Sequence, residues 1–391
     1  MEEKLIYRDR QGTNAVKWND LRRAGFQRDD LLGMWVADMD FAAPECVRQA
    51  LREAADFGVF GYDKAPEAYY EAFLAWEEKY HGYRPERDWL RYSPGVVAGF
   101  NYLVRLLTEE GDAVLIQTPV YYPFSAAVLD QGRKLVTCEL VNTGGVYTAD
   151  YEALERAVEE NGVKLMILCS PHNPVGRVWT REELLRLLGI CRRHGVKVIS
   201  DEIHHDFEHP GHKHVPTAAA GEPGEFDDLV MTLTAPSKTF NLAGLQNSLV
   251  ILPDPAVREK YDAFTRVLRV SGGNSLGYVA AAAAYRGGRP WLESVLRTVE
   301  DNAALLRRRL AEDLPKAVMS PLVGTYLAWI DLGAYVIAGN IKDIMEGRCG
   351  LALDYGSQFG AGAPTHIRVN LATCRENVAL AADRLAENLG K

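Results

Sequence analysis

No stretch of the 391-residue chain approaches the roughly eighteen uninterrupted apolar residues that a membrane-spanning helix needs. The opening MEEKLIYRDRQG is charged where a secretory leader carries its apolar segment. Cysteine is sparse: six residues, at 46, 138, 169, 191, 349 and 374, with no C-x-x-C spacing. That scatter excludes a disulfide framework and reads as reduced thiols. Positive charge is in deficit, with 44 Lys and Arg against 53 Asp and Glu and a net charge of −9. Nucleic acid and anionic membrane are therefore poor candidates for the main partner. Internal repeats and low-complexity tracts are also missing. A cytoplasmic enzyme is the expectation.

The residues are 47% hydrophobic and 25% charged, enough apolar material for a large core, and the length suits two domains. From about residue 112, short apolar runs alternate with amphipathic segments. The runs DAVLIQT, KLVTCEL, KLMILCS, VKVISDE, LVMTLTA and NSLVILP read as strands. ADYEALERAVEE and TREELLRLLGICRRH read as helices, with Thr148 and Thr180 placed to cap them. Nearly continuous apolar strands between helices predict an α/β fold with a mostly parallel sheet covered on both faces. Ligands of such sheets bind at the carboxyl ends of the strands. After about residue 254 long helices dominate, followed by the strands TYLAWIDL and THIRVNLA and a final helix from about 374. This predicts a second, smaller α+β domain.

Three strand ends carry polar clusters: KLMILCS runs into PHNPVG, VKVISDE into a histidine-rich stretch, and LVMTLTA into PSKTFN. Lys238, just past an apolar strand, is placed to be partly desolvated, which frees its amine as a nucleophile toward a carbonyl. Asp201 ends a buried strand and needs a cationic partner or several hydrogen bonds. Asn173 could serve turn chemistry alone. SPGVVAG, residues 93–99, opens a helix whose free N–H groups favour an anion.

Asn173, Asp201 and Lys238 on successive strand ends, with RVN near the C-terminus, resemble the fold-type I pyridoxal-phosphate enzymes of the aspartate-aminotransferase superfamily. That resemblance implies pyridoxal 5'-phosphate as cofactor. It assigns Lys238 to hold the cofactor covalently and to move the Cα proton, and Asp201 to the pyridinium nitrogen. Tyr121, with Tyr122 as its alternative, would stack on the ring, and Asn173 would bond the phenolic oxygen. Gly95, Val96, Val97 and Ser237 would hold the phosphate. Tyr62 would reach it from the other subunit of a homodimer and assist near the leaving group. Arg368 would fork onto the substrate carboxylate, helped by Asn173 and the backbone from Val36 to Asp38. The implied domains are a large cofactor-binding domain over 46–285 and a small domain over 286–391 joined by residues 1–45.

Two departures from the aminotransferase pattern narrow the resemblance. Gln246 stands where many aminotransferases carry a phosphate-clamping arginine, and His204 stands where many carry a tyrosine on the phenolic oxygen. MWVADMDF, FGYDKAPEAYYEAFLAW, SPHNPVGRVW, SDEIHHDF, GHKHVP, APSKTFNLAGLQ and HIRVNLA resemble the MalY/PatB-type C–S lyases. The implied reaction cleaves L-cystathionine, L-cysteine or related S-substituted cysteines to a thiol, pyruvate and ammonia. An aminotransferase uses the same lysine, aspartate and arginine and stays open as an alternative, as does a cofactor-binding regulator acting through a protein partner.

Five of the nine histidines fall in HHDFEHPGHKH, residues 204–214. Only His205 and His209 have the i, i+4 spacing of a helical ligand pair, and Pro210 with Gly211 breaks a helix there. No metal is expected. His204 is placed to approach the cofactor's ring oxygen; His205 to His214 are expected to form a loop near the site entrance or a dimer surface.

Overall fold

Seven strands form the main sheet of the computed structural model, which describes residues 3–390. They are β1 (Leu90–Ser93), β2 (Ala113–Thr118), β3 (Lys134–Glu139), β4 (Leu165–Cys169), β5 (Lys197–Asp201), β6 (Val230–Thr234) and β7 (Ser248–Ile251). Their spatial order is β1-β7-β6-β5-β4-β2-β3. β3, β2, β4, β5 and β6 run parallel, whereas β7 runs against both of its neighbours. Every residue of β2, β4, β6 and β7 is buried, as expected for strands covered on both faces.

Helices α1 (Glu45–Phe57), α2 (Glu67–Trp76) and α3 (Val96–Leu107) precede β2, and α4 (Tyr151–Asn161) and α5 (Arg181–Arg193) occupy the crossovers from β3 to β4 and from β4 to β5. The single turn α6 (Pro236–Thr239) follows β6; α7 (Ser275–Gly287), α8 (Arg289–Asp313) and α9 (Arg375–Leu389) come after β7. On one sheet face Leu115, Met166 and Val198 share a core with Leu184 and Leu187 of α5. On the other, Ile116, Ile167 and Ile199 pack with Phe100, Leu103 and Val104 of α3. Full burial of each such side chain is worth about 1.5–3 kcal/mol. Thr180 and Glu183 form a reciprocal capping box on α5. The cap of α4 is Asp150, whose carboxylate accepts from the Ala153 N–H, and not Thr148. Asp150 directly precedes the first helical residue, whereas Thr148 lies two positions further back.

A second sheet is wholly antiparallel, with β8 (Val318–Met319), β9 (Leu327–Asp331), β10 (Asp354–Tyr355) and β11 (His366–Asn370) in the order β8-β9-β11-β10. The N-terminal segment joins this half of the molecule. Leu32–Gly33 pairs in parallel with Leu351–Ala352, and the Asp40 N–H donates to Ala372 O. A Cβ at Gly33 would lie 2.3 Å from Lys17 O, so only glycine permits the approach. Lys17 and Asp40, both buried, pair at 2.8 Å. No helix among the described residues is long and apolar enough to cross a membrane.

Candidate active site

In-register pairing of β4, β5 and β6 brings their carboxyl ends together, with Cys169 opposite Asp201 and Asp201 opposite Leu233. The segments that follow build one side of a cavity of about 260 Å³. Two hydrogen bonds lock the loops after β2 and β4 to each other: Tyr121 N–H to Asn173 O at 3.1 Å, and His172 Nε2 to Pro119 O at 2.8 Å. Burial keeps His172 neutral, lowering its pKa to about 4. The cavity lies at the strand ends where the parallel sheet predicts a ligand.

Lys238 and Asp201 both line it. Desolvation pulls the Lys238 ammonium down to a pKa of about 8, against the opposing pull of Asp38. Its Nζ donates to Ala37 O at 2.6 Å, and the Tyr326 hydroxyl donates to the same carbonyl at 2.8 Å. Burial raises Asp201 to about 7. Its one side-chain hydrogen bond among the described residues comes from the Ile203 N–H at 3.1 Å. A buried carboxylate so thinly partnered fits a cationic group brought in by a ligand, such as a protonated ring nitrogen.

Another part of the cavity wall suits an anion. Gly95 (φ 156°, ψ 155°) leads into α3 and makes no side-chain cap, so the first N–H groups of α3 have no side-chain cap among the described residues. That backbone region is open essentially to glycine. Val96, Val97 and Ser237 line the cavity beside it, as does Gln246. Backbone N–H groups and the Ser237 hydroxyl are groups that suit an anion.

Arg368, buried on β11, donates from Nη1 to Asn173 Oδ1 at 3.0 Å and from Nη2 to Trp35 O at 2.9 Å. Nη2 also pairs with Asp354, its cross-strand neighbour on β10. Nε is buried without a hydrogen-bond partner among the described residues, and the guanidinium lies 5.0 Å from the Phe359 ring centroid.

The cavity thus gathers Lys238, Asp201, Asn173, Tyr121, His204, Gly95, Val96, Val97, Ser237, Arg368 and Val36. Two sequence candidates lie elsewhere. The Asp38 carboxylate is held by Arg10 in a bidentate pair at 2.8 Å, while the Val36 and Asp38 carbonyls accept from the Asn370 amide. Tyr62 is fully exposed and is not part of the cavity wall in this chain. Trp35, Cys169, Asn247 and Asp354 line the cavity without having been singled out. Asp354 carries no local sequence signal, since β10 is only two residues long and strand register alone places it beside Arg368. His205, His209 and His214 lie in the expected loop but are buried within the chain, not placed at an entrance or a dimer surface. Carboxylates and carbonyls inside the protein hold them, and only His212 of the later four is exposed.

The model of the aminotransferase class I and II family matches residues 29–385. The cystathionine beta-lyase PatB of Bacillus subtilis is 39% identical over 375 residues, covering 95% of this chain and 96% of the relative. A PLP-bound C–S lyase from Staphylococcus hominis superposes with a TM-score of 0.93 at 34% identity, covering 99% of this chain and 97% of that one. Cystalysin from Treponema denticola, which contains a pyridoxal 5'-phosphate cofactor, gives 0.94 at 32% identity, covering 100% and 99%. A match of this extent, on a sheet and a strand-end cavity of the expected kind, means that the chain belongs to the aminotransferase class I and II family.

Proposed function

We propose that the protein is a pyridoxal-phosphate-dependent C–S β-lyase that converts L-cystathionine, L-cysteine or related S-substituted cysteines to a thiol, pyruvate and ammonia. The observation that carries this reading is a partly desolvated lysine sharing one cavity with a buried carboxylate and a buried arginine. PatB and the two lyases of the same fold agree with it.

When bound, the cofactor supplies an electron-withdrawing ring conjugated to the substrate's Cα. Lys238 would hold it covalently and, once displaced by substrate, would take the Cα proton with an amine whose pKa lies near neutrality. Asp201 would keep the ring nitrogen protonated, and that partner would in turn restore its own ionised form. Tyr121 would stack on the ring, with Asn173 and His204 near its phenolic oxygen. His204 is buried and held well below its ordinary pKa, first by desolvation and then by Lys238 and Arg368. It therefore acts as a neutral imidazole. Val96 and Val97 N–H groups, with Ser237 and the space left by Gly95, would bind the phosphate. Arg368 would take the substrate carboxylate, in competition with Asp354.

A homodimer would complete the site. Phe57, Val59, Phe60 and Tyr62 expose apolar surface along one short segment, and burying such a patch favours association. Tyr62 would then approach the cavity of the second copy. The six free cysteines fit a cytoplasmic location.

The test is incubation with L-cystathionine without any keto acid. Pyruvate and thiol released in equal amounts support the lyase. Turnover that appears only after a keto acid is added would establish the aminotransferase instead.

A further inference from the structure

The stretch from Asp201 to Asp206 has two faces. Asp201, Ile203 and His204 line the cavity, whereas Glu202, His205 and Asp206 turn into a buried cluster that meets the end of α2. Asp206 accepts from Trp76 Nε1 and His81 Nε2, each at 2.9 Å, and from the Thr239 hydroxyl at 2.6 Å. His205 Nε2 lies 3.3 Å from its second oxygen and 3.1 Å from Glu77 Oε1. Nδ1 of His205 donates to Glu202 O at 2.5 Å. Glu202 in turn accepts from His214 Nε2 at 3.0 Å and from the Thr217 N–H at 2.9 Å.

Glu77, His81 and His205 offer ligand atoms within 4.8 Å of one another, close enough to suggest a metal. The His205 ring argues otherwise. Its Nδ1 donates to the Glu202 carbonyl, while Nε2 lies between the Asp206 and Glu77 carboxylates with no aligned hydrogen bond among the described residues, a place that suits the charge of an imidazolium. Burial disfavours that charge, yet Asp206 and Glu77 outweigh it and lift the pKa to about 10. The cluster is a proton-held anchor.

Thr239 immediately follows Lys238 on α6, which is one turn long. A helix of four residues cannot fix its own orientation through internal hydrogen bonds. We propose that Asp206 is a positioning residue for Lys238, holding α6 through the Thr239 hydroxyl while His205, His81 and Trp76 hold Asp206. This rests on the reading of Lys238 as the lysine that carries the cofactor. The histidine-rich stretch then has one function on each face: His204 toward the cavity, and His205 in the support of the lysine.

Thr239→Val removes the hydroxyl at nearly constant shape, and Thr239→Ser returns it. In the cofactor-loaded enzyme, Thr239→Val should lower kcat roughly 10- to 100-fold with little change in KM. It should also move the midpoint of the pH titration of the visible band of the Lys238-bound cofactor. Thr239→Ser should restore both. Wild-type kcat and midpoint in Thr239→Val, or equal impairment in Thr239→Ser, overturns the proposal. Asp206→Asn should shift the same midpoint; where that variant fails to fold, the Thr239 pair decides. If Lys238→Ala keeps the visible band, the reading of the site fails as well. If the band is lost there while Thr239→Val behaves as wild type, the positioning role alone fails. Dialysed protein should contain no stoichiometric transition metal, and a metal lost on Glu77→Gln would contradict the imidazolium anchor.

Discussion

His204 and His205 are adjacent and equally buried, yet their surroundings push them in opposite directions. Burial, Lys238 and Arg368 drive His204 well below its ordinary pKa. His205 meets the same desolvation but faces Asp206 and Glu77, which raise it to about 10. Burial alone does not decide the charge of a histidine; the sign of its neighbours does. One backbone segment thereby separates a neutral imidazole facing a cavity from a cation buried in an anchor.

The cavity face is broken most severely at Asp201. Asp201→Asn keeps the size of the side chain but removes the charge that would stabilise a cationic ring nitrogen. The expected loss is about 10²–10³-fold in kcat, the scale of removing one preorganised electrostatic partner, measured as pyruvate release.

The anchor face responds in stability. His205→Gln leaves Glu77 and Asp206 without their cation and should cost about 3 kcal/mol in urea unfolding. The pH dependence has a defined sign. The folded pKa of His205 lies above the ordinary 6.5, so its contribution is complete below pH 6.5 and is lost as pH rises through about 10. His204 has the opposite slope: its folded pKa is depressed, so stability falls as pH drops below 6.5. Urea midpoints of wild type should decline between pH 7 and 10, and His205→Gln should flatten that decline.

A smaller effect is expected at the substrate-carboxylate end. Arg368→Lys keeps the charge and loses the fork to Asn173 and Trp35, costing about 2 kcal/mol, or roughly 30-fold in KM, with a lesser effect on kcat. Steady-state kinetics separate the two parameters. At the other extreme, His212→Ala changes an exposed residue of the same stretch and should leave stability within about 0.5 kcal/mol.

The strand ends were legible because a covered parallel sheet writes its strands as apolar runs, so the first polar residues after each run announce themselves. That pattern marks the polar clusters that contain Asn173, Asp201 and Lys238; their roles come from the family resemblance. The strand β1, LRYS, was not legible, since four residues with a charge in the middle carry no period. The reverse direction of β7 was hidden too, because its composition matches that of its parallel neighbours. The burial of His205 and His214 depends on Glu77 and His81 at the end of α2 and on Glu202 across the turn. Nothing local to GHKHVP encodes those partners. Asp354 shows the same limit, since its pairing with Arg368 is set by strand register and not by either local sequence.

The most direct measurement is the visible absorption spectrum of the purified, cofactor-loaded protein beside that of Lys238→Ala. Lys238 as the covalent anchor predicts a yellow band in the wild type that titrates with pH and is lost or displaced in the variant, together with pyruvate release from L-cystathionine. An unchanged band in Lys238→Ala would contradict the assignment and remove the basis for the mechanism.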